Sequence, residues 1–220
     1  MSGPIDSTTM NLRMIALIGA IAFSGSAAPP EVRTFDGDPV GQTPPGFSLA
    51  MARGVGPARW IVERAGANGL LAHHESATGQ GFALAVLEGP PRQSVELSAR
   101  IRLVGGARAA GLVWHYQDED NHYLARLDLR AQDLAVYRVV RGNRVRLEDE
   151  DDLELDPDAW YTLKVRHDGP RIRVYLAGIR VIDDFDRSRP VQGRVGLWSQ
   201  VDTTAWFDDF RVRAVEQHDR

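Results

Sequence analysis

Three acidic side chains, Glu150, Asp152 and Glu154, stand two residues apart in the run Glu148-Asp-Glu-Asp-Asp-Leu-Glu154. On an extended strand, carboxylates at i, i+2 and i+4 project from one face. Such a row suits a nucleophile, a supporting carboxylate and a general acid for retaining glycoside hydrolysis. Two features weigh against it. Asp151 is charged where a strand needs an apolar residue pinned in the core, and a run this acidic generates the spacing by composition alone. Arg144, Arg146, Lys164, Arg166, Arg171 and Arg173 fall on nearby polar strand positions. Cross-strand pairing with them accounts for the same acids, each exposed pair contributing roughly 0–1 kcal/mol.

A second set lies in Gly111-Leu-Val-Trp-His-Tyr-Gln-Asp-Glu-Asp-Asn-His-Tyr-Leu-Ala-Arg-Leu-Asp128. Read as a hairpin about a four-residue turn, Asp118 to Asn121, it pairs Gln117 with His122, Tyr116 with Tyr123 and Val113 with Arg126. Leu112, Trp114, Tyr116, Tyr123, Ala125 and Leu127 then share the core face. Val113, His115, His122, Leu124, Arg126 and Asp128 share the other. There His115, Arg126 and Asp128 offer an imidazole, a guanidinium and a carboxylate, groups that hydrogen-bond hydroxyls. The plainer reading makes them solvated side chains with ordinary cross-strand partners. Asp208, at the parity of Trp206 and Phe210, faces inward if those aromatics do, and a buried carboxylate demands a partner. The six histidines include no pair at metal-binding helical spacing. Phosphate loops, dinucleotide fingerprints and Gly-x-Ser-x-Gly elbows are missing too.

The elements that position these residues read as strands. Val95–Leu103, Tyr161–His167 and Arg171–Leu176 alternate apolar and polar, the last two joined by an Asp-Gly-Pro turn. Ile179–Ile182, Phe47–Arg53, Trp60–Glu63, Leu70–His74, Phe82–Leu87, Ala109–Tyr116, His122–Leu129, Leu134–Val140, Val195–Ser199 and Thr204–Val212 follow the same signals. No helical period is sustained over three turns. About a dozen short strands at regular spacing predict an all-β fold, a sandwich of two antiparallel sheets.

Residues 1–27 predict a secretory signal peptide: Arg13, then the apolar Met14–Phe23, then Ser24-Gly-Ser-Ala27 as a small-residue cleavage site, with Met10 an alternative start. The apolar run is about half the roughly 20 residues a membrane span needs. One domain is expected over residues 28–215, then a polar tail over 216–220. The destination is the periplasm or the medium, with no span left after cleavage. The chain of 220 residues has no cysteine, which excludes disulfides and thiolate chemistry. Its net charge of -4 and the lack of a basic cluster speak against nucleic acid as a partner.

The Gly111–Asp128 segment resembles the concanavalin A-like lectin/glucanase superfamily, in its laminin G-like and 3-keto-disaccharide hydrolase-like branches. Further matches are Trp160–Arg166 with Arg171–Gly178, Gly193–Trp198, Ala205–Val212, and Phe35-Asp-Gly-Asp38 as the opening strand. The resemblance implies a jelly roll whose concave sheet, the one bearing His115, Arg126 and Asp128, binds poly- or oligosaccharide. It also implies a structural calcium joining Asp36 or Asp38 to Asp208, although calcium takes six to eight oxygens and only two or three can be named. Glu150-x-Asp152-x-Glu154 is similar in spacing to the catalytic motif of laminarinase-type glucanases. The expectation is an exported, non-catalytic module that binds carbohydrate or another envelope polymer. Two alternatives stay open: a glycan-active enzyme (3-keto-glycoside hydrolase or lyase, or glucanase), and a protein-interaction domain without a sugar ligand.

Overall fold

A computed structural model describes residues 29–54, 57–74, 81–157, 159–188 and 191–215. The expected signal peptide and polar tail lie outside the described residues. Every regular element described is a strand: β1 (Glu31–Arg33), β2 (Phe47–Ala52), β3 (Trp60–Ala65), β4 (Asn68–His73), β5 (Phe82–Leu87), β6 (Val95–Gly106), β7 (Ala109–Asp118), β8 (Asn121–Asp128), β9 (Asp133–Val140), β10 (Asn143–Glu150), β11 (Tyr161–Asp168), β12 (Arg171–Leu176), β13 (Ile179–Phe185), β14 (Arg194–Gln200) and β15 (Thr203–Ala214). They form two antiparallel sheets. One has the order β13-β12-β11-β6-β15-β4-β3, with β1 also on β15, and the other the order β10-β9-β8-β7-β14-β5-β2. Among the described residues no helix is long and apolar enough to cross a membrane.

Alternation does what its period dictates in the eight-stranded sheet. Along β6, Val95, Leu97, Ala99, Ile101 and Leu103 are buried and the residues between them are partly exposed. These side chains meet Ala110, Leu112, Trp114, Tyr123, Ala125 and Leu127 of the seven-stranded sheet in the core between the layers. The opening strand is Glu31–Arg33, paired with Val212 to Phe210, and not Phe35–Asp38 as expected. Phe35 has φ 61° in the turn that follows, and its ring plugs the core against Phe47 at 6.0 Å. A left-handed residue departs from the extended backbone, and the chain turns at Asp36 and Gly37 directly after it.

The seven-stranded sheet is buried on both faces. Its outer face carries Leu84, Val86, Val113, Leu124, Tyr137 and Trp198, all buried. Arg144 of β10 lies 3.6 Å from the centroid of Phe82 of β5, although four strands separate β10 from β5. Contact across four intervening strands requires strong curvature, so this face is concave and rolled inward on itself. All five tryptophans sit in or beside strands. Trp60, Trp114 and Trp198 are buried, while Trp160 and Trp206 are half-exposed beneath Arg100 and Arg102.

Candidate functional site

The β7–β8 hairpin departs from the expected register, and the departure builds a site. From Ala109↔Asp128 to Trp114↔Tyr123 the pairing is regular; it then shifts, and resumes at Asp118↔Asn121. Val113 therefore pairs with Leu124, not Arg126. Three residues, His115 to Gln117, bulge opposite His122, and His115 takes φ 48°. That conformation costs a non-glycine residue about 1–3 kcal/mol, and such strain clusters at functional sites. Gly193 permits the bulge, because a Cβ there would collide with the His115 carbonyl carbon and the Tyr116 nitrogen. The bulge breaks parity: Tyr116 turns to the concave outer face, contrary to its expected place in the core, and His115 turns to the end of the core.

His115 is thus separated from Arg126 and Asp128, with which it was expected to share a face. At the core's end its ring lies 4.8 Å from that of His167 and 5.5 Å from Tyr123, which stacks on Trp114 at 5.6 Å. Trp114 Nε1–H donates to His167 Nδ1 at 2.9 Å, so the His167 proton sits on Nε2. His115 Nε2 lies 2.9 Å from the Gln93 carbonyl, which can only accept, so Nε2 carries that proton. Burial, then the neighbouring His167, pushes His115 down to about 3; burial pushes His167 down to about 4. Both rings are neutral at pH 7. The His115 Nδ1 lone pair is buried and meets no donor among the described residues.

Asp186, in the loop after β13, anchors the opposite wall. It accepts from Tyr123 Oη at 2.9 Å, from Ser188 N at 2.8 Å and from Arg138 Nη1 at 3.2 Å. Burial opposes its ionisation, yet these Ser188, Tyr123 and Arg138 contacts outweigh it and hold the carboxyl below its usual value. His115, Tyr123, His167, Asp186 and Ser188 line a pocket of about 330 Å³ with Gln93, Pro170 and Val191. A second pocket of about 340 Å³, sharing His115, Tyr123, Ser188 and Val191, extends it toward Gln117, Asn121 and His122.

The remaining expected residues are engaged elsewhere. Arg126 and Asp128 do lie on the concave face, where Arg126 reaches Asp133 at 2.6 Å and Asp128 at 3.8 Å. Glu150 ends β10, while Asp152 has φ 55° and, with Glu154, lies past the strand. The single row of three carboxylates that the spacing allows, already disfavoured by Asp151, does not form, because the chain leaves the strand to bury Leu155. Asp208 sits beside a second bulge, at Asp209 (φ 50°), that separates its parity from that of Phe210. It accepts from Asn68 Nδ2 at 3.1 Å, Arg100 Nη1 at 3.4 Å and Asp209 N at 2.6 Å. Asp36 accepts from Gly69 N at 2.7 Å, and Asp38 lies 3.6 Å from Arg33. Cations and N–H donors already occupy these three carboxylates, and no group of three or more metal-ligating side chains forms among the described residues. The donor set does not fit calcium. The seam is instead closed by Asn68 and Gly69 of β4, which tie Asp208 and Asp36 to one hairpin.

Neither family models nor curated proteins contain a match to this chain. Solved structures do. The carbohydrate binding module CBM66 from Bacillus subtilis is similar at a TM-score of 0.61 and 22% identity, over 76% of this chain and 95% of that one. The VIP36 exoplasmic/lumenal domain, in a Ca2+/Man3GlcNAc-bound form, is similar at 0.57 and 12%, over 82% and 88%. The cellulose induced protein Cip1 is similar at 0.55 and 14%, over 79% and 94%. These likenesses are of fold: the chain shares the two-sheet β-sandwich architecture of these structures.

Proposed function

We propose that the protein is an exported, non-catalytic carbohydrate-binding module whose end pocket takes a sugar unit. The observation that carries this is the His115 Nδ1 lone pair, buried at a strained backbone position in a neutral ring and lacking a donor. A sugar hydroxyl is a donor of the right kind. Around it stand a tyrosine ring, a serine hydroxyl, a glutamine side chain and an ionised carboxylate, the mixture of apolar platform and directed polar groups that holds a polyol. The sugar-binding descriptions of two similar folds, CBM66 and the Man3GlcNAc-bound VIP36 domain, support the same ligand class. The sequence of residues 1–27 supports export, which N-terminal sequencing of protein recovered from the periplasm or medium checks.

A glycan array followed by isothermal titration tests the binding. The expected result is a saccharide ligand whose affinity falls at least tenfold in His115→Phe, which fills the pocket and removes the lone pair. The reading is overturned if no saccharide binds, or if binding survives His115→Phe and Ser188→Ala unchanged. Turnover of 3-keto-disaccharides or β-glucans that is lost in Glu150→Gln would establish an enzyme instead.

A further inference from the structure

The concave face holds two arginines that the end pocket does not use. Arg144 lies over three rings, with Cζ 3.6 Å from the centroid of Phe82, 5.1 Å from Trp198 and 5.6 Å from Tyr137. Arg194 lies over Tyr116 at 5.3 Å and donates to Ser48 Oγ at 3.3 Å. Neither has a carboxylate within ion-pair distance among the described residues. Their neighbours on the same face do: Arg126 has Asp133, and Arg146 has Asp149 at 3.0 Å. The positive charge left over belongs to a chain whose formal net charge is -4. Arg144 Nη2 and Trp198 Nε1 are buried donors without acceptors among the described residues. Burial, then the like charges of Arg126 and Arg53, lowers Arg144 to about 10, a cost that an anion would relieve.

The two arginines are connected across the sheet. Arg194 covers Tyr116, Tyr116 lies 6.1 Å from His122, and His122 feels the charge of Arg144. The lane therefore runs guanidinium, phenol, imidazole, guanidinium, with two buried rings holding the cations apart. We propose that this lane binds a glycan bearing carboxylates, its uronate groups seated on Arg144 and Arg194. A guanidinium fork matches a carboxylate in planar, bidentate fashion. Single cations set apart along a lane suit carboxylates spaced along a polymer, whereas a dianionic phosphate gathers several cations at one point. The proposal rests on the carbohydrate-binding reading for the class of polymer, but on different residues for the site.

The test is isothermal titration of the purified protein with oligogalacturonate, oligoalginate, fully methyl-esterified oligogalacturonate and a sulfated oligosaccharide, in low and high salt. One or both uronate oligomers bind, binding weakens as salt rises, and the methyl ester does not bind. Affinity falls at least tenfold in Arg194→Gln, and also in Arg144→Gln; Arg194 is the decisive variant because Arg144 packs on three rings and its loss can disturb folding. The proposal is overturned if neither uronate oligomer binds, if the methyl ester binds equally, if the sulfated oligosaccharide binds more tightly, or if Arg194→Gln changes nothing. A neutral sugar bound through His115 while both uronates fail overturns the lane alone. Uronate binding without any neutral-sugar ligand overturns the end pocket alone.

Discussion

The two outer faces of this sandwich solve the same problem in opposite ways. On the eight-stranded sheet acids sit between bases: Glu96 lies between Arg213 at 2.9 Å and Arg166 at 3.8 Å, and Asp183 between Arg171 at 2.7 Å and Arg180 at 2.8 Å. Lys164 covers Tyr175 at 4.2 Å. Charges there are solvated and reciprocally paired, which is what a face needs merely to remain soluble. On the seven-stranded sheet, curvature buries Trp198 to 1% exposure and leaves Arg144 over aromatic rings without a carboxylate among the described residues. Charge and apolar surface are partners on that side, and the balance is left open. A paired lattice has nothing to offer a ligand; a concave face with uncompensated donors does.

Breaking the contrast at its strongest point should cost most. Trp198→Ala, on a nominally outer face, is expected to destabilise the protein by about 3–5 kcal/mol, the range for a buried aromatic. Urea denaturation measures this, and a loss under about 1 kcal/mol would show the face to be an ordinary solvated one. Acid probes the end pocket, the concave face and the buried His73 of β4 together. His73, His115, His122 and His167 are depressed to about 4, 3, 4 and 4, in each case chiefly by burial. The unfolded chain binds protons at these sites from about pH 6.5 downward while the folded chain does not, so stability is fully present above that pH. It falls progressively between about pH 6.5 and pH 3, where His115, the most depressed of the four, protonates last. A denaturation midpoint that is flat across that window would contradict the burial of these rings.

Smaller effects sharpen the comparison. Asp186→Asn weakens the hold on Tyr123, Arg138 and Ser188 and should cost about 1–3 kcal/mol, with loss of sugar affinity at the end pocket. Binding that is unaffected would reduce Asp186 to a strut. Glu96→Gln, in the paired lattice, should cost under about 1 kcal/mol, a difference that vanishes in high salt. A larger, salt-independent loss would mean that the lattice face is also organised for something beyond solubility.

Much of the architecture was legible because strand period is local. The alternation along Val95–Leu103 and Tyr161–His167 predicts both the strands and their inward side chains, and His167 is marked by sharing parity with Leu163 and Val165. The acidic run was legible in composition, but not its exit from the strand at Glu150. The hairpin at Gly111–Asp128 was legible as a hairpin, but not its register. A bulge of this kind depends on Gly193, far along the chain, leaving room for the His115 backbone. Asp186 carried no periodic signal, since it joins Tyr123 and Arg138 only through tertiary contact.

The sequence by itself determined that the chain is a cysteine-free β-sandwich, because alternation, turns and composition act over a few residues. Tertiary structure alone decided which polar residues meet. The bulge at His115 turns Tyr116 to the opposite face before the register recovers at Asp118, the bulge at Asp209 reverses parity for the residues that follow it, and sheet curvature brings β10 over β5 across four strands. Parity and curvature are sums over long stretches of chain, so one misplaced residue or a few degrees of twist per strand relocates a site. His115 therefore leaves Arg126 for His167, and Arg144 ends against Phe82.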